Sequence, residues 1–176
     1  MDFEEKTIDS NYLLKTRIID VKEDKVGLSN GSESMRIVVE HPGGVVIVAQ
    51  KSDDTILMVK QYRYPIKKAS LELPAGKLER GEDPFFAAKR ELEEETGYKS
   101  ENWKSLGYIN TTPGFCDERL YLYYAKDLEF VGEHPDVDEI IKAEEYSIDA
   151  IFDMIKNGEI NDSKTICGLM RAFKLW

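Results

Sequence analysis

The sequence predicts an α+β protein, or an α/β/α sandwich, in which a few helices cover a mixed sheet. Three observations lead there. Strand-sized apolar runs recur, as in "VVIVAQ" (45–50) and "TILMVKQYR" (55–63). Helical patterns are few and well separated, the clearest being "PFFAAKRELEEET" (84–96). The chain has 176 residues, 41% of them apolar and 33% charged, which suits one substantial core or one domain with a small extension.

Taken in order, residues 1–40 read as a small β region. The stretch "KTRIIDVKEDKVGLSNGSESMRIVVEH" (15–41) holds two or three short strands, with Ser29-Asn30-Gly31 as a hairpin signal. It has too few large apolar side chains to fold alone, so it must lean on the domain expected over 41–176 or on a partner subunit. Two strands follow, "VVIVAQ" and "TILMVKQYR", around the turn Ser52-Asp53-Asp54. After Pro65, "ASLELPAGKLERGED" (69–83) gives a short strand and a glycine-containing loop. The helix over 84–96 has Pro84 at its first position, Asp83 or Glu82 to cap it and Gly97 to stop it. Phe85, Ala88 and Leu92 form its apolar stripe. "WKSLGYIN" (103–110) and "ERLYLYYAKDL" (118–128) read as strands joined by "TTPGFCD", and an acidic stretch (132–140) leads to the strand "IKAEEY" (141–146). Two helices close the chain, over 147–158 with Ser147 as cap and Gly158 as stop, and over 163–176. There is no internal repeat, low-complexity segment or flexible linker.

The net charge of −10 disfavours non-specific attraction to nucleic acid or to an anionic membrane. An anionic substrate would need local cations or metal ions. The acidic start "MDFEEKT" reads as no secretory signal, and the apolar runs are too short to cross a bilayer. Two cysteines without CxxC spacing suggest a reduced, cytoplasmic protein. Cys116 has only His41 and His134 as candidate bases, so it reads as a small loop residue rather than a nucleophile.

The chemistry concentrates in "RELEEETGY" (90–98). On a helix, Glu91, Glu94 and Glu95 share one face, and each like-charge pair costs roughly 0.2–0.5 kcal/mol. Most charge runs are solvated faces. This one stands in register with Gly76, Glu82, Arg90 and Gly97, in the pattern G-x5-E-x7-R-E-(apolar)-x-E-E-x-G-(apolar). Every position of the box that defines the Nudix hydrolases is met, so the chain resembles that family. The residues agree with the resemblance. A loop followed by three carboxylates on one helix face is a set of hard oxygen donors, suited to Mg²⁺ or Mn²⁺ rather than Zn²⁺.

Pro113 follows Gly97 by sixteen residues, in "TTPGFCDE". With Gly114 after it, and with "VKQYRYP" and "EHPGGVVIV" upstream, it resembles the ADP-ribose pyrophosphatase subgroup. The resemblance implies that the Ala75 carbonyl, Glu91 and Glu95 are metal ligands with Glu94 beside them, and that Arg90 orients a box glutamate. It implies phosphate or terminal-ribose contact for Arg63, and substrate contacts for Arg36, Glu40, Glu72, Lys77, Thr112, Pro113, Gly114 and Glu118. In the acidic loop, Glu139 matches a further metal ligand. The subgroup's catalytic glutamate position falls on Val137, a departure that leaves Asp138, Glu139 or Glu94 as the base.

The resemblance thus implies a Nudix-fold enzyme that hydrolyses ADP-ribose, with Mg²⁺ (or Mn²⁺), to AMP and ribose 5-phosphate, as a homodimer completed by its N-terminal region. A nucleotide sugar, a dinucleoside polyphosphate or an oxidised nucleotide is the alternative substrate. The longer motif of the NADH-cleaving subgroup is missing. A non-catalytic ADP-ribose sensor is the reading from another class, and it would be expected to carry a damaged box.

Overall fold

A computed structural model describes residues 3–132 and 140–174. Two compact units emerge. The first runs to Gly43 and takes in residues 110–119, and the second holds 44–109 and resumes at Leu120.

In the first unit, β1 (Lys6–Lys15), β2 (Asp20–Gly27) and β3 (Glu33–Glu40) form an antiparallel sheet in that order. The expected turn lies between β2 and β3, where the Asn30 side chain accepts hydrogen bonds from the Ser32 backbone and hydroxyl. Gly31 supplies the positive φ of 85° that such a turn needs. β1 begins before the stretch that reads as strands. All ten of its residues are exposed, so it carries no buried alternation for a pattern to reveal. The loop over 112–117 folds on itself, with the Phe115 and Cys116 N–H groups donating to the Thr112 carbonyl. It is fastened to β3 by the Val39 N–H to Phe115 O and Asp117 N–H to Val39 O bonds, of 2.7 and 3.1 Å.

The second unit is built on one mixed sheet. Its main path is β12 (Ile141–Ser147), β5 (Thr55–Arg63), β4 (Gly44–Ser52), β10 (Arg119–Lys126) and β9 (Asn102–Asn110). Short β6 (Lys68–Glu72) adds to β5, and β7 (Ala75–Lys77) adds to β4. β8 (Tyr98–Lys99) and β11 (Glu129–Phe130) make a separate small pair. The β4–β10 ladder is parallel and the others of the main sheet that involve β5 or β7 are antiparallel.

β4 is buried on both sides, which explains its unbroken apolar run. Val45, Ile47 and Ala49 face α1 (Pro84–Thr96) through Ala87, Ala88 and Leu92. Val46 and Val48 face the other layer, where Ile151 of α2 (Ile148–Lys156) and Leu169 of α3 (Ser163–Phe173) complete a second core. Alternation along one strand therefore feeds two helical layers, which is the expected α/β/α sandwich. The helix caps are local and legible: Asp83 accepts from the Phe85 N–H at 2.8 Å, and Gly97 closes α1 with φ of 73°. Ser147 caps α2, and Asp162 caps α3. Among the described residues no helix is long and apolar enough to cross a membrane.

Candidate active site

The loop–helix segment places its charges by way of one side chain. Arg90, in the second turn of α1, reaches back to the loop with Nε 3.0 Å from Glu82 Oε1 and Nη2 3.1 Å from Glu82 Oε2. Its Nη1 donates to Glu91 Oε1 and to Glu94 Oε2, both at 2.8 Å. The same Nη2 approaches the Lys77 carbonyl at 3.4 Å. One planar guanidinium thus makes four hydrogen bonds to three carboxylates, two of them side-on to Glu82, where an ammonium has three donors and no planar fork. The Glu82 hydrogen bonds, helped by Glu91 and Glu94, hold Arg90 above its ordinary pKa. Reciprocally, Arg90 holds the Glu82 carboxyl below the usual carboxylate range, with help from the Glu79 N–H. Glu93 turns elsewhere and pairs with Lys99 at 3.2 Å.

β7 brings the loop backbone against this face. A Cβ at position 76 would fall 1.9–2.2 Å from the Glu91 carboxylate atoms, so only glycine lets that group lie on the backbone. One residue earlier, the Ala75 N–H donates to Glu95 Oε2 at 2.8 Å. The donor chemistry fits a divalent ion that prefers oxygen: carboxylates and a peptide carbonyl, with no thiolate or imidazole in the set. The cradle at Gly76 supports the same fit. Among the described residues, no three or more His, Cys, Asp or Glu side chains are already gathered at metal-binding spacing. Glu91 and Glu94 are held by Arg90, and Glu95 by the β7 backbone.

A second charged cluster lies at the end of β5 and β6. Arg63 grips Glu72 side-on, with Nε to Oε1 at 2.9 Å and Nη2 to Oε2 at 2.6 Å. Lys164 from α3 also donates to Glu72 Oε2, and reaches Asp162 Oδ1 at 3.0 Å. Glu72 is only 2% exposed. Burial alone would push its carboxyl up. The Arg63 hydrogen bond and the Lys164 charge more than offset this and leave it at about 2. The Glu95 and Asp162 charges act on Arg63 in turn, which remains above its ordinary value chiefly through Glu72. A cavity of about 730 Å³ opens beside this cluster, lined by Arg63, Ser70, Glu72 and Asp162 among others.

The remaining candidates sit in the first unit. Arg36 is taken up by Glu5, at 2.6 and 2.9 Å. Glu40 accepts from Lys22 at 2.8 Å and from the Tyr12 hydroxyl at 2.9 Å, and lies below its ordinary pKa chiefly because of Lys22. Thr112, Pro113 and Gly114 form the loop fastened to Val39, and Glu118 Oε1 stands 3.3 Å from His41 Nδ1. In the second unit, the exposed side chain of Lys77 is on β7. Asp138 and Glu139 lie outside the described residues.

Sequence reasoning passed over Lys164, Asp162 and Thr165, which bind the β6 end to α3. The "ND" before "SKT" is a legible cap signal. The pairing of Lys164 with Glu72, 92 residues apart, is not.

Similarity to known proteins agrees with this geometry. The NUDIX domain family model matches residues 40–169. A methanol dehydrogenase activator of Bacillus methanolicus is 45% identical over 93% of this chain and 90% of its own. An ADP-ribose pyrophosphatase of Bacillus subtilis (strain 168) is 38% identical over 92% of this chain and 89% of its own. Another, of Mycobacterium tuberculosis, is 38% identical over 96% and 82% respectively. The crystal structure of an ADP compounds hydrolase superposes with a TM-score of 0.85 at 19% identity, over 98% of this chain and 94% of that one, and shares the fold.

Two outcomes follow from the geometry. Gly76→Ala should fold normally, because the atom it displaces is the end of a flexible side chain, yet lose about 100-fold in hydrolysis as Glu91 is driven off the backbone. Circular dichroism and initial rates together check this, and a rate near wild type refutes the cradle. Glu72 has its folded pKa depressed, so its stabilisation is full above about 4.5, the unfolded value, and is lost as pH falls toward about 2. The stability gap between wild type and Glu72→Gln should close across that window by on the order of 3 kcal/mol. Urea unfolding at stepped pH measures it, and a pH-independent gap contradicts the assignment.

Proposed function

The chain belongs to the Nudix family of hydrolases, and from that premise we propose that it hydrolyses the diphosphate of ADP-ribose to AMP and ribose 5-phosphate in the presence of Mg²⁺. The observation that carries this reading is the intact loop–helix box, Gly76 to Gly97, with its carboxylates gathered on Arg90. The two relatives named ADP-ribose pyrophosphatase support the choice of substrate.

Glu91, Glu94, Glu95 and the Ala75 carbonyl, with Glu139 of the acidic loop, would hold Mg²⁺, which when bound supplies neutralisation of the diphosphate and polarisation of its phosphorus. The chain's own residues do the rest. Arg90 holds Glu91 and Glu94 on one face of α1, which limits the positions their carboxylates can take. Arg63 offers a guanidinium to a phosphate or the terminal ribose, and Glu72 fixes its orientation through two hydrogen bonds. Water adds to one phosphorus, the phosphoanhydride bond breaks, and a carboxylate (Asp138, Glu139 or Glu94) accepts the proton the water loses. Arg36, Glu40, Lys77, Thr112, Pro113, Gly114 and Glu118 are proposed as further substrate contacts.

We assign the working form as a cytoplasmic homodimer that engages neither nucleic acid nor membrane. The net charge of −10 supports the last two points. The exposed apolar side chains of the first unit, Phe3, Ile8, Tyr12, Leu13 and Leu14 among them, support a second copy as partner. A second reading is favoured by the 45% identical relative: that this chain activates a methanol dehydrogenase. Adding the protein to a purified methanol dehydrogenase and following its rate tests that reading directly.

The principal test is a panel of ADP-ribose, ADP-glucose, GDP-mannose, diadenosine polyphosphates and 8-oxo-dGTP, scored by kcat/KM with Mg²⁺ and with Mn²⁺. ADP-ribose should lead. Glu94→Gln and Glu95→Gln should each lower its kcat by about 100-fold or more with the fold intact. Binding of ADP-ribose without release of AMP would favour a sensor, and full activity in both variants would sink the carboxylate assignment.

A further inference from the structure

The α3 cluster carries an inference that rests on the reading of Arg63 as the cation facing the substrate's diphosphate. We propose that Lys164 is a positioning residue, which acts through Glu72 to keep Arg63 oriented toward that diphosphate and to offset the Glu72 charge that would otherwise cancel it.

Lys164 stands in the first turn of α3, one residue after the helix begins at Ser163. A cation there faces the positive end of the helix dipole, so the fold places it against its own local preference. What compensates it is two carboxylates, Glu72 Oε2 and Asp162 Oδ1. Its side chain is 13% exposed, so the interaction is shielded from bulk water.

Docking of α3 does not call for this lysine. The Thr165 hydroxyl already accepts from the Leu73 N–H at 2.9 Å and donates to Asp162 Oδ2 at 2.7 Å. That chain fastens the helix to the residue beside Glu72. Asp162 divides its oxygens, Oδ2 capping α3 and Oδ1 holding Lys164. Lys164 is thus an addition to a joint that is closed without it.

Its effect falls on Arg63. Glu72 occupies Nε and Nη2 of that guanidinium, and Nη1 is the nitrogen it does not engage. With Arg63 alone, a buried Glu72 would cancel its charge one for one. Lys164 shares the same carboxylate and also holds Asp162, so the two cations and two carboxylates beside the cavity that Arg63, Glu72 and Asp162 line sum to zero, where without Lys164 they would be net negative. In a chain of net charge −10, removing that local negative excess lowers the repulsion an anionic group would meet. Lys164 does not touch the substrate in this scheme. It sets the residue that does.

The test is a double-mutant cycle with Lys164→Met, Glu72→Gln and their combination, with Lys164→Arg as the conservative variant. Lys164→Gln is carried alongside, so that a folding defect in Lys164→Met does not remove the cycle. Two readouts are taken: the Kd for imidodiphosphate with Mg²⁺ by calorimetry, and the kcat and KM for ADP-ribose. Lys164→Met should raise both Kd and KM about tenfold while kcat stays within about threefold, and Lys164→Arg should restore most of the loss. In the Glu72→Gln background the same Lys164→Met step should change Kd by less than about twofold, because the residue it acts through is gone. Equal effects in both backgrounds, an unchanged Kd in Lys164→Met, no restoration by Lys164→Arg, or no imidodiphosphate binding by wild type each overturns the proposal. Coupled effects on imidodiphosphate without hydrolysis of ADP-ribose would instead overturn the substrate reading and leave Lys164 in its role.

Discussion

The carboxylate face of α1 depends on one guanidinium. Arg90 is bonded to Glu82 in the loop and to Glu91 and Glu94 on its own helix. Without it, the helix would carry adjacent negative charges with nothing to reconcile them, at a cost that grows as the groups lose water. With it, the repulsion becomes a means of holding several oxygens in fixed positions. The same contact ties the loop after β7 to α1, so the fold of the loop and the placement of the charges are one event.

Glycine and backbone complete what the arginine begins. Gly76 makes room for the Glu91 carboxylate, and the Ala75 N–H donates to Glu95. β7 pairs with β4, whose side chains enter both cores, so this short piece of backbone inherits the rigidity of the most buried strand in the unit. The Arg63–Glu72–Lys164 cluster repeats the theme with the signs reversed: two cations share one buried carboxylate, and α3 supplies the second of them. In both places a charged side chain is fixed in position by partners of opposite charge.

How much of this was legible in the sequence depends on the range of each interaction. α1 was legible to the residue, because Asp83, Pro84 and Gly97 are local signals. The two-sided burial of β4 was legible as an unbroken apolar run. β1 was not, since a wholly exposed strand has no burial rhythm, and β7 is only three residues long and forms by pairing with β4 some thirty residues earlier. The box residues could be named from their spacing. That Arg90 serves Glu82 as well as Glu91 and Glu94, and that Lys164 meets Glu72, arises only when distant segments pack. Spacing shows which residue types are present; it does not show which of them share a hydrogen bond.

The most direct measurement of the central claim is kcat/KM for ADP-ribose in Arg90→Lys. Lysine keeps the charge but cannot serve three carboxylates with a planar fork. If the guanidinium organises the site, kcat/KM should fall by about 100-fold while the circular dichroism spectrum and the thermal midpoint stay close to wild type. A variant that retains wild-type kcat/KM would show that positive charge alone suffices, and would contradict the account.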